Sequence, residues 1–169
     1  MARPLELLHV DLMGPTRTES LGGKKYIMVV VNNFTRFTWV ILLQSKSEAP
    51  HHIKSLYKRV QNEKGLKVDQ IRSDRDKEFK NSQLESFCIS AGTTQEFSAP
   101  ITPQQNGVIE RKNRIIQEMA RAMLHNKDVA KDLWGKAVNT ACHIVNRVYF
   151  KPSTKKTPYE LWNGSKPNM

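Results

Sequence analysis

The sequence predicts an α/β domain with a mixed five-stranded sheet, three antiparallel strands followed by αβ units, flanked by helices. Three observations predict it. Short β-branched runs separated by turn residues open the chain. Segments with apolar residues three and four apart then alternate with short strand-like runs. The chain of 169 residues also fits one domain with a core that needs neither disulfides nor a structural metal.

The first expected strand is Leu5 to Leu12, where Leu8, Val10 and Leu12 share one face and His9 and Asp11 the other. Leu21-Gly22-Gly23-Lys24 signals a reversal, Tyr26 to Val31 is a second strand, and Asn32-Asn33 turns the chain into a third, Phe37 to Leu43. A helix is expected next, capped by Ser47, with Pro50 in its first turn and Ile53, Leu56, Tyr57 and Val60 as its apolar stripe. Gly65 ends it. Val68 to Arg72 is a short strand leading into Ser73-Asp74. Ser82 and Glu85 form an expected capping pair for a helix with Leu84, Phe87, Cys88 and Ala91 inward. Gly92 stops it, and Thr93 to Phe97 is the fifth strand.

Ala99 to Gly107 holds Pro100, Pro103 and Gly107 and is expected as a loop. A long helix should follow from about Val108 to Leu124, with Val108, Ile115, Met119 and Met123 inward. The last helix is expected over Lys131 to Tyr149, and the Lys-, Pro- and Gly-rich residues after Lys151 have the composition of a linker.

Composition narrows the partners. The formal net charge is +11, and residues 101–169, with 12 basic and 5 acidic side chains, hold most of it. Such a field suits a polyanion, nucleic acid above all. No apolar run approaches the ~20 residues that span a bilayer, so no membrane partner is expected. Cys88 and Cys142 fall on apolar helix faces, which favours two reduced core thiols. The five histidines lack the paired-cysteine spacing of a zinc site.

Three acids stand out. Asp11 lies inside an apolar strand, where an unpaired carboxylate is costly. Asp74 ends another strand, at the edge where open α/β sheets bind ligands. Glu110 lies in the first turn of the helix that follows the Pro/Gly loop. Singly, each has a plain structural explanation: a salt-bridged core acid, a turn residue, and a helix N-terminal acid. Together they are the hard oxygen donors that magnesium accepts, and two such ions can activate a nucleophile and stabilise a leaving oxygen at a phosphodiester.

The words around these acids carry a family resemblance. Leu8-His9-Val10-Asp11, Arg72-Ser73-Asp74 and the stretch from Pro100 to Asn113 resemble the integrase core of copia-type LTR retrotransposons, including the thirty-five-residue gap before Glu110. Further similarity runs through Gly22 to Tyr26, Phe37 to Val40, Glu78-Phe79, Glu118 to Arg121, Ala137 to Ala141 and Thr157 to Trp162. The resemblance implies a ribonuclease-H-like fold, with residues 1–150 as the catalytic core and 151–169 as the start of a C-terminal linker or extension. It implies that Asp11, Asp74 and Glu110 are the catalytic, metal-binding triad for two Mg2+ ions, for which Mn2+ can substitute. The reactions implied are 3′-end processing of the element's DNA and strand transfer into target DNA.

The same resemblance implies a nuclear protein, in a cytoplasmic particle before entry, acting as a homodimer or higher oligomer of full-length integrase on element ends and target DNA. Gln104, Gln105 and Asn106 are expected to contact the DNA end from a mobile loop. Asn113 and Arg114, three and four residues beyond Glu110, share its helical face and are expected DNA contacts as well. An ion pair between Arg114 and Glu110 is the plainer alternative. Arg111, Lys112 and Arg121 are expected on a diffuse phosphate-facing or solvated surface.

Two departures from the family pattern bear on activity. Asp76 stands where a glycine is usual, at a position where positive φ would strain it. Asn32-Asn33 replaces two acids at a turn. A catalytically impaired nucleic-acid-binding remnant is therefore the alternative reading. A ribonuclease acting on RNA–DNA hybrids shares the fold and metals, but the Thr102 to Val108 wording argues against it.

Overall fold

A computed structural model describes residues 3–98, 103–126 and 128–168, with the backbone alone at 103–106. Its elements run β1 (Leu7–Met13), β2 (Tyr26–Asn32), β3 (Thr38–Leu43), α1 (Ala49–Lys64), β4 (Gln70–Ser73), α2 (Ser82–Ala91), β5 (Thr94–Phe97), α3 (Pro103–Asn126), α4 (Trp134–Val148) and α5 (Pro158–Asn163). The five strands form one sheet in the order β3-β2-β1-β4-β5. β1 pairs antiparallel with β2 and parallel with β4, and β4 pairs parallel with β5. The expected mixed sheet is the observed one.

The strands alternate as a sheet buried on both faces requires. Leu8, Val10, Met28 and Val30 join Ile53, Leu56, Val60, Ile71 and Leu84 in one core beneath α1 and α2. Ile27, Val29 and Val31 join Ile116, Ala120, Val138, Ala141 and Val145 in a second core beneath α3 and α4. Cys88 lies in the first and Cys142 in the second, so the sheet separates the two free thiols.

Several local expectations shift. Ser47 does not cap α1: Ser45 and Glu48 form a reciprocal capping box on a short 3₁₀ turn, Lys46–Glu48, that leads directly into the helix. Asn81, rather than Ser82, caps α2, its Oδ1 accepting from the Leu84 N–H at 2.9 Å. Its extended backbone (φ −143°) suits a cap, whereas Ser82 is already helical. Gly65 and Gly92 end α1 and α2 in the left-handed conformation, at φ 63° and 71°. α3 starts five residues earlier than expected, at Pro103, because proline is tolerated where the backbone N–H has no helical partner. Residues 99–102 of the expected loop lie outside the described residues.

The inner face of α3 is also rotated by one position. Ile109, Asn113, Ile116 and Ala120 are buried, while Val108, Ile115, Met119 and Met123 flank that seam. Val148, at the end of α4, is 51% exposed.

The segment after Lys151, expected to begin a linker, returns to the domain. α5 carries Trp162 into the first core, where it meets Phe37 and Trp39 at centroid separations of 5.8 and 5.1 Å. Its indole N–H donates to Glu63 at 2.9 Å, and the Lys64 ammonium sits 4.5 Å from its ring. Among the described residues no helix is long and apolar enough to cross a membrane.

Candidate active site

The pairing of β1 with β4 sets two of the three acids side by side. His9 is opposite Arg72 in the parallel register. Asp11 and Asp74 each stand two residues further on, past the end of that pairing and on the same face. From the other side, α3 crosses β1 so that the Asn113 Nδ2 donates to Asp11 Oδ2 at 2.7 Å. Glu110, one turn earlier on α3, lines the same cavity. Asp11, Asp74, Glu110, Val10 and Ile109 enclose about 150 Å³.

The electrostatics mark this cavity as short of positive charge. Burial first, and the Asp74 carboxylate second, push the Asp11 carboxyl up to about 6. A backbone hydrogen bond from Leu12, and then the one from Asn113, work against that rise. Burial also raises Asp74, with Asp76 and Glu78 adding to it and the Asp76 N–H, 3.0 Å from Asp74 Oδ1, opposing it. Asp76 therefore acts in two directions, as backbone donor and as like charge. It is not among the described non-glycine residues with positive φ, so the strain expected from replacing glycine is absent. The turn closes instead through the Asp76 carbonyl, which accepts from the N–H groups of Phe79 and Lys80 at 2.9 and 2.8 Å.

Among the described residues no three His, Cys, Asp or Glu side chains are gathered closely enough to hold a metal ion. The donor chemistry still fits a hard divalent cation. The cavity offers carboxylate oxygens without sulfur or imidazole, and Asp11 lacks the opposite charge that would return it to its ordinary range.

The remaining expected contacts divide. Asn113 is buried, 8% exposed, and holds Asp11 rather than standing free for DNA; its Oδ1 has no partner among the described residues. Arg114 is exposed, and none of the ion pairs among the described residues joins it to Glu110. Gln104, Gln105 and Asn106 fall in the first turn of α3, and their side chains lie outside the described residues. Lys112 is not a freely solvated surface group: burial lowers it to about 8, with Cys142 opposing the shift and Arg36 reinforcing it.

Sequence reasoning left His9 without a role. It is buried, its Nε2–H donates to Asn33 Oδ1 at 2.9 Å, and burial lowers it to about 4. Its place on the Asp11 face of a strand was the available signal.

A mixed sheet in this order, with acids beyond the ends of its central parallel pair and a third on the crossing helix, is a ribonuclease-H-like fold. Solved structures share it. The HTLV-2 integrase catalytic core domain in complex with magnesium superposes with a TM-score of 0.70 at 18% identity, covering 95% of this chain and 97% of that one. The catalytic core domain of BIV integrase gives 0.68 at 21%, covering 95% of each chain. A chain of the simian T-cell lymphotropic virus intasome in complex with PP2A regulatory subunit B56 gamma gives 0.73 at 17%, covering 94% of this chain and 54% of that one.

Residues 1–103 match the family model described as the integrase core domain, and the chain belongs to that family. It is 37% identical over 158 residues, 94% of its length, to the retrovirus-related Pol polyprotein from transposon TNT 1-94 of Nicotiana tabacum. It is 29% identical over 167 residues, 99% of its length, to that from transposon RE2 of Arabidopsis thaliana. The chain spans 12% and 11% of the lengths of these two relatives. The expected resemblance to a retrotransposon integrase core is thereby met.

Proposed function

We propose that this chain is the catalytic core of a retrotransposon integrase that processes DNA 3′ ends and transfers them to target DNA, using two magnesium ions held by Asp11, Asp74 and Glu110. The observation that carries this reading is the single cavity lined by three acids from distant parts of the chain, with Asp11 raised to about 6 by burial and by Asp74. Magnesium, when bound, would supply Lewis-acid activation of the nucleophile and neutralise charge at the leaving oxygen.

The chain's own residues have defined tasks in this scheme. Asn113 fixes one oxygen of Asp11 through its Nδ2–H. The Asp76 N–H fixes Asp74 in the same way. Ile109 gives the cavity an apolar wall, which strengthens the charge interactions beside it. End processing consumes one water as the P–O3′ bond breaks. Strand transfer consumes none, because the 3′-hydroxyl exchanges one phosphodiester for another. Both are in-line displacements in which the protein positions groups and balances charge.

Asp76 supports the second reading, an impaired nucleic-acid-binding remnant, because its charge pushes both Asp11 and Asp74 up. The two are separated by incubating the protein with a duplex carrying an element-like end, with Mg2+, with Mn2+ and with chelator. Cation-dependent cleavage in wild type, lost in Asp11→Asn, Asp74→Asn and Glu110→Gln, is expected. Retained cleavage in any of the three refutes the triad. Binding without cleavage, restored by Asp76→Gly, selects the remnant. A nuclear location and assembly into dimers or larger integrase complexes belong to the same proposal.

A further inference from the structure

The turn between β2 and β3 collects positive charge from three parts of the chain. Arg36 sits at its tip in the left-handed conformation, φ 64°. The turn is pinned from within: Asn32 Oδ1 accepts from the N–H groups of Phe34 and Thr35 at 3.1 Å each, and Asn32 O accepts from the Arg36 N–H at 2.8 Å. Arg36 Nη1 donates to the Asn33 carbonyl and, at 3.1 Å, to Asn33 Oδ1. Its Nη2 and Nε make no hydrogen bond among the described residues, so half of the guanidinium fork is open to an acceptor.

Lys151, beyond the end of α4, reaches the same turn. Its ammonium donates to the Phe34 carbonyl at 2.5 Å and lies 4.9 Å from the Phe34 ring centroid. Asn146 and Cys142 on α4 bond the backbone of Thr38 just after the turn, which fixes α4 and the turn together. On α3, Arg111 and Lys112 are like charges that Arg36 repels. No carboxylate pairs with Arg36, Arg111, Lys112 or Lys151 among the described residues, whose ion pairs lie elsewhere. Burial and then Arg111 lower Arg36, and burial and then Arg36 lower Lys151, as expected of like charges facing one another.

We propose that Arg36 and Lys151 form a backbone-phosphate contact for nucleic acid at the amino end of β1, separate from the carboxylate cavity. The place is set by the Asn33 N–H, which bonds the Leu7 carbonyl at 3.0 Å, four residues before Asp11. Like charges held together by a pinned turn are relieved by a polyanion, and an arginine with an open fork suits a phosphate oxygen. The contact rests on the nucleic-acid reading of the protein but requires no metal chemistry.

The test is the salt dependence of binding to a duplex of about 20 base pairs, followed by fluorescence anisotropy in chelator, since each lost phosphate contact lowers the slope of log K against log salt by about 0.9. Lys151→Gln should lower the slope by about 0.9, an affinity loss of about eightfold at 0.1 M salt, and Arg36→Gln/Lys151→Gln by about twice that slope. Arg36→Lys, which keeps the charge at the turn, should hold most of it. Lys58→Gln, an exposed lysine of α1 on the other face of the sheet, should hold nearly all of it. Circular dichroism of each variant guards against a collapsed turn, and Lys151→Gln stands alone if Arg36→Gln fails to fold. Binding by wild type with an unchanged slope in Lys151→Gln overturns this contact and leaves the nucleic-acid reading intact. An equal fall in Lys58→Gln also overturns it, as a general charge effect. Failure of wild type to bind the duplex overturns both.

Discussion

Asp11→Asn should make the metal-free protein more stable at neutral pH while abolishing its proposed chemistry. The Asp11 carboxyl rises from 3.8 to about 6 on folding. A folded state that holds a proton more tightly than the unfolded one loses stability as pH rises between those two values, here by roughly 3 kcal/mol at 1.36 kcal/mol per pH unit. His9 has the opposite sign. It falls from 6.5 to about 4, so the unfolded state binds the extra proton and stability grows by roughly 3 kcal/mol as pH rises through that window. In wild type the two slopes nearly cancel between about pH 4 and pH 6.

Removing the Asp11 carboxylate exposes the His9 slope. Urea unfolding in chelator should therefore show wild type almost level in these two contributions and Asp11→Asn gaining stability with pH. The difference between the proteins should be near zero at about pH 4 and roughly 2 to 3 kcal/mol in favour of Asn at about pH 7, discounting for imperfect replacement of the oxygen that faces Asn113. Groups common to both proteins drop out of that difference. Added Mg2+ should narrow the gap by stabilising wild type alone. A difference that does not vary with pH, or a variant less stable at neutral pH, refutes the account of Asp11 as a buried charge without a counter-ion.

Three further outcomes follow from particular contacts. Asn113→Ala removes the 2.7 Å donor to Asp11, and should raise the Asp11 carboxyl by roughly one further pH unit, read by NMR titration of the metal-free protein; an unchanged midpoint means that this hydrogen bond does not hold the charge. Asn146→Ala strips the Thr38 N–H of its partner at 2.9 Å, while the Thr38 carbonyl keeps the Cys142 thiol. A loss of about 2 kcal/mol is expected in thermal or urea unfolding, and a neutral result would mean that water replaces the amide. Trp162→Ala should cost ~3–5 kcal/mol, because α5 buries this ring against Phe37 and Trp39. A loss below about 1 kcal/mol would return residues 151–169 to the linker suggested by their composition.

Much of the architecture was legible in residue order alone. Strand faces follow a period of two, so the sequence alone places Leu8 and Val10 on one side of β1 and Asp11 on the other, where the fold has them. Glycines that must adopt positive φ marked the ends of α1 and α2. The acids were visible as carboxylates in places where a carboxylate is expensive, and the words around them named the family. What only the tertiary structure decided has a common physical cause: it depends on partners far away in sequence. Asn113 became the hydrogen-bond donor of Asp11 across 102 residues, the composition of a linker concealed Trp162 bound to Glu63 across 99, and Lys151 reached Phe34 across 117. The inner face of α3 shifted by one position because the sheet beneath it, rather than helical periodicity, selected which side chains were buried. Local pattern fixes which faces are apolar, but the neighbour that covers a face, and so the charge it meets, exists only once the chain has folded.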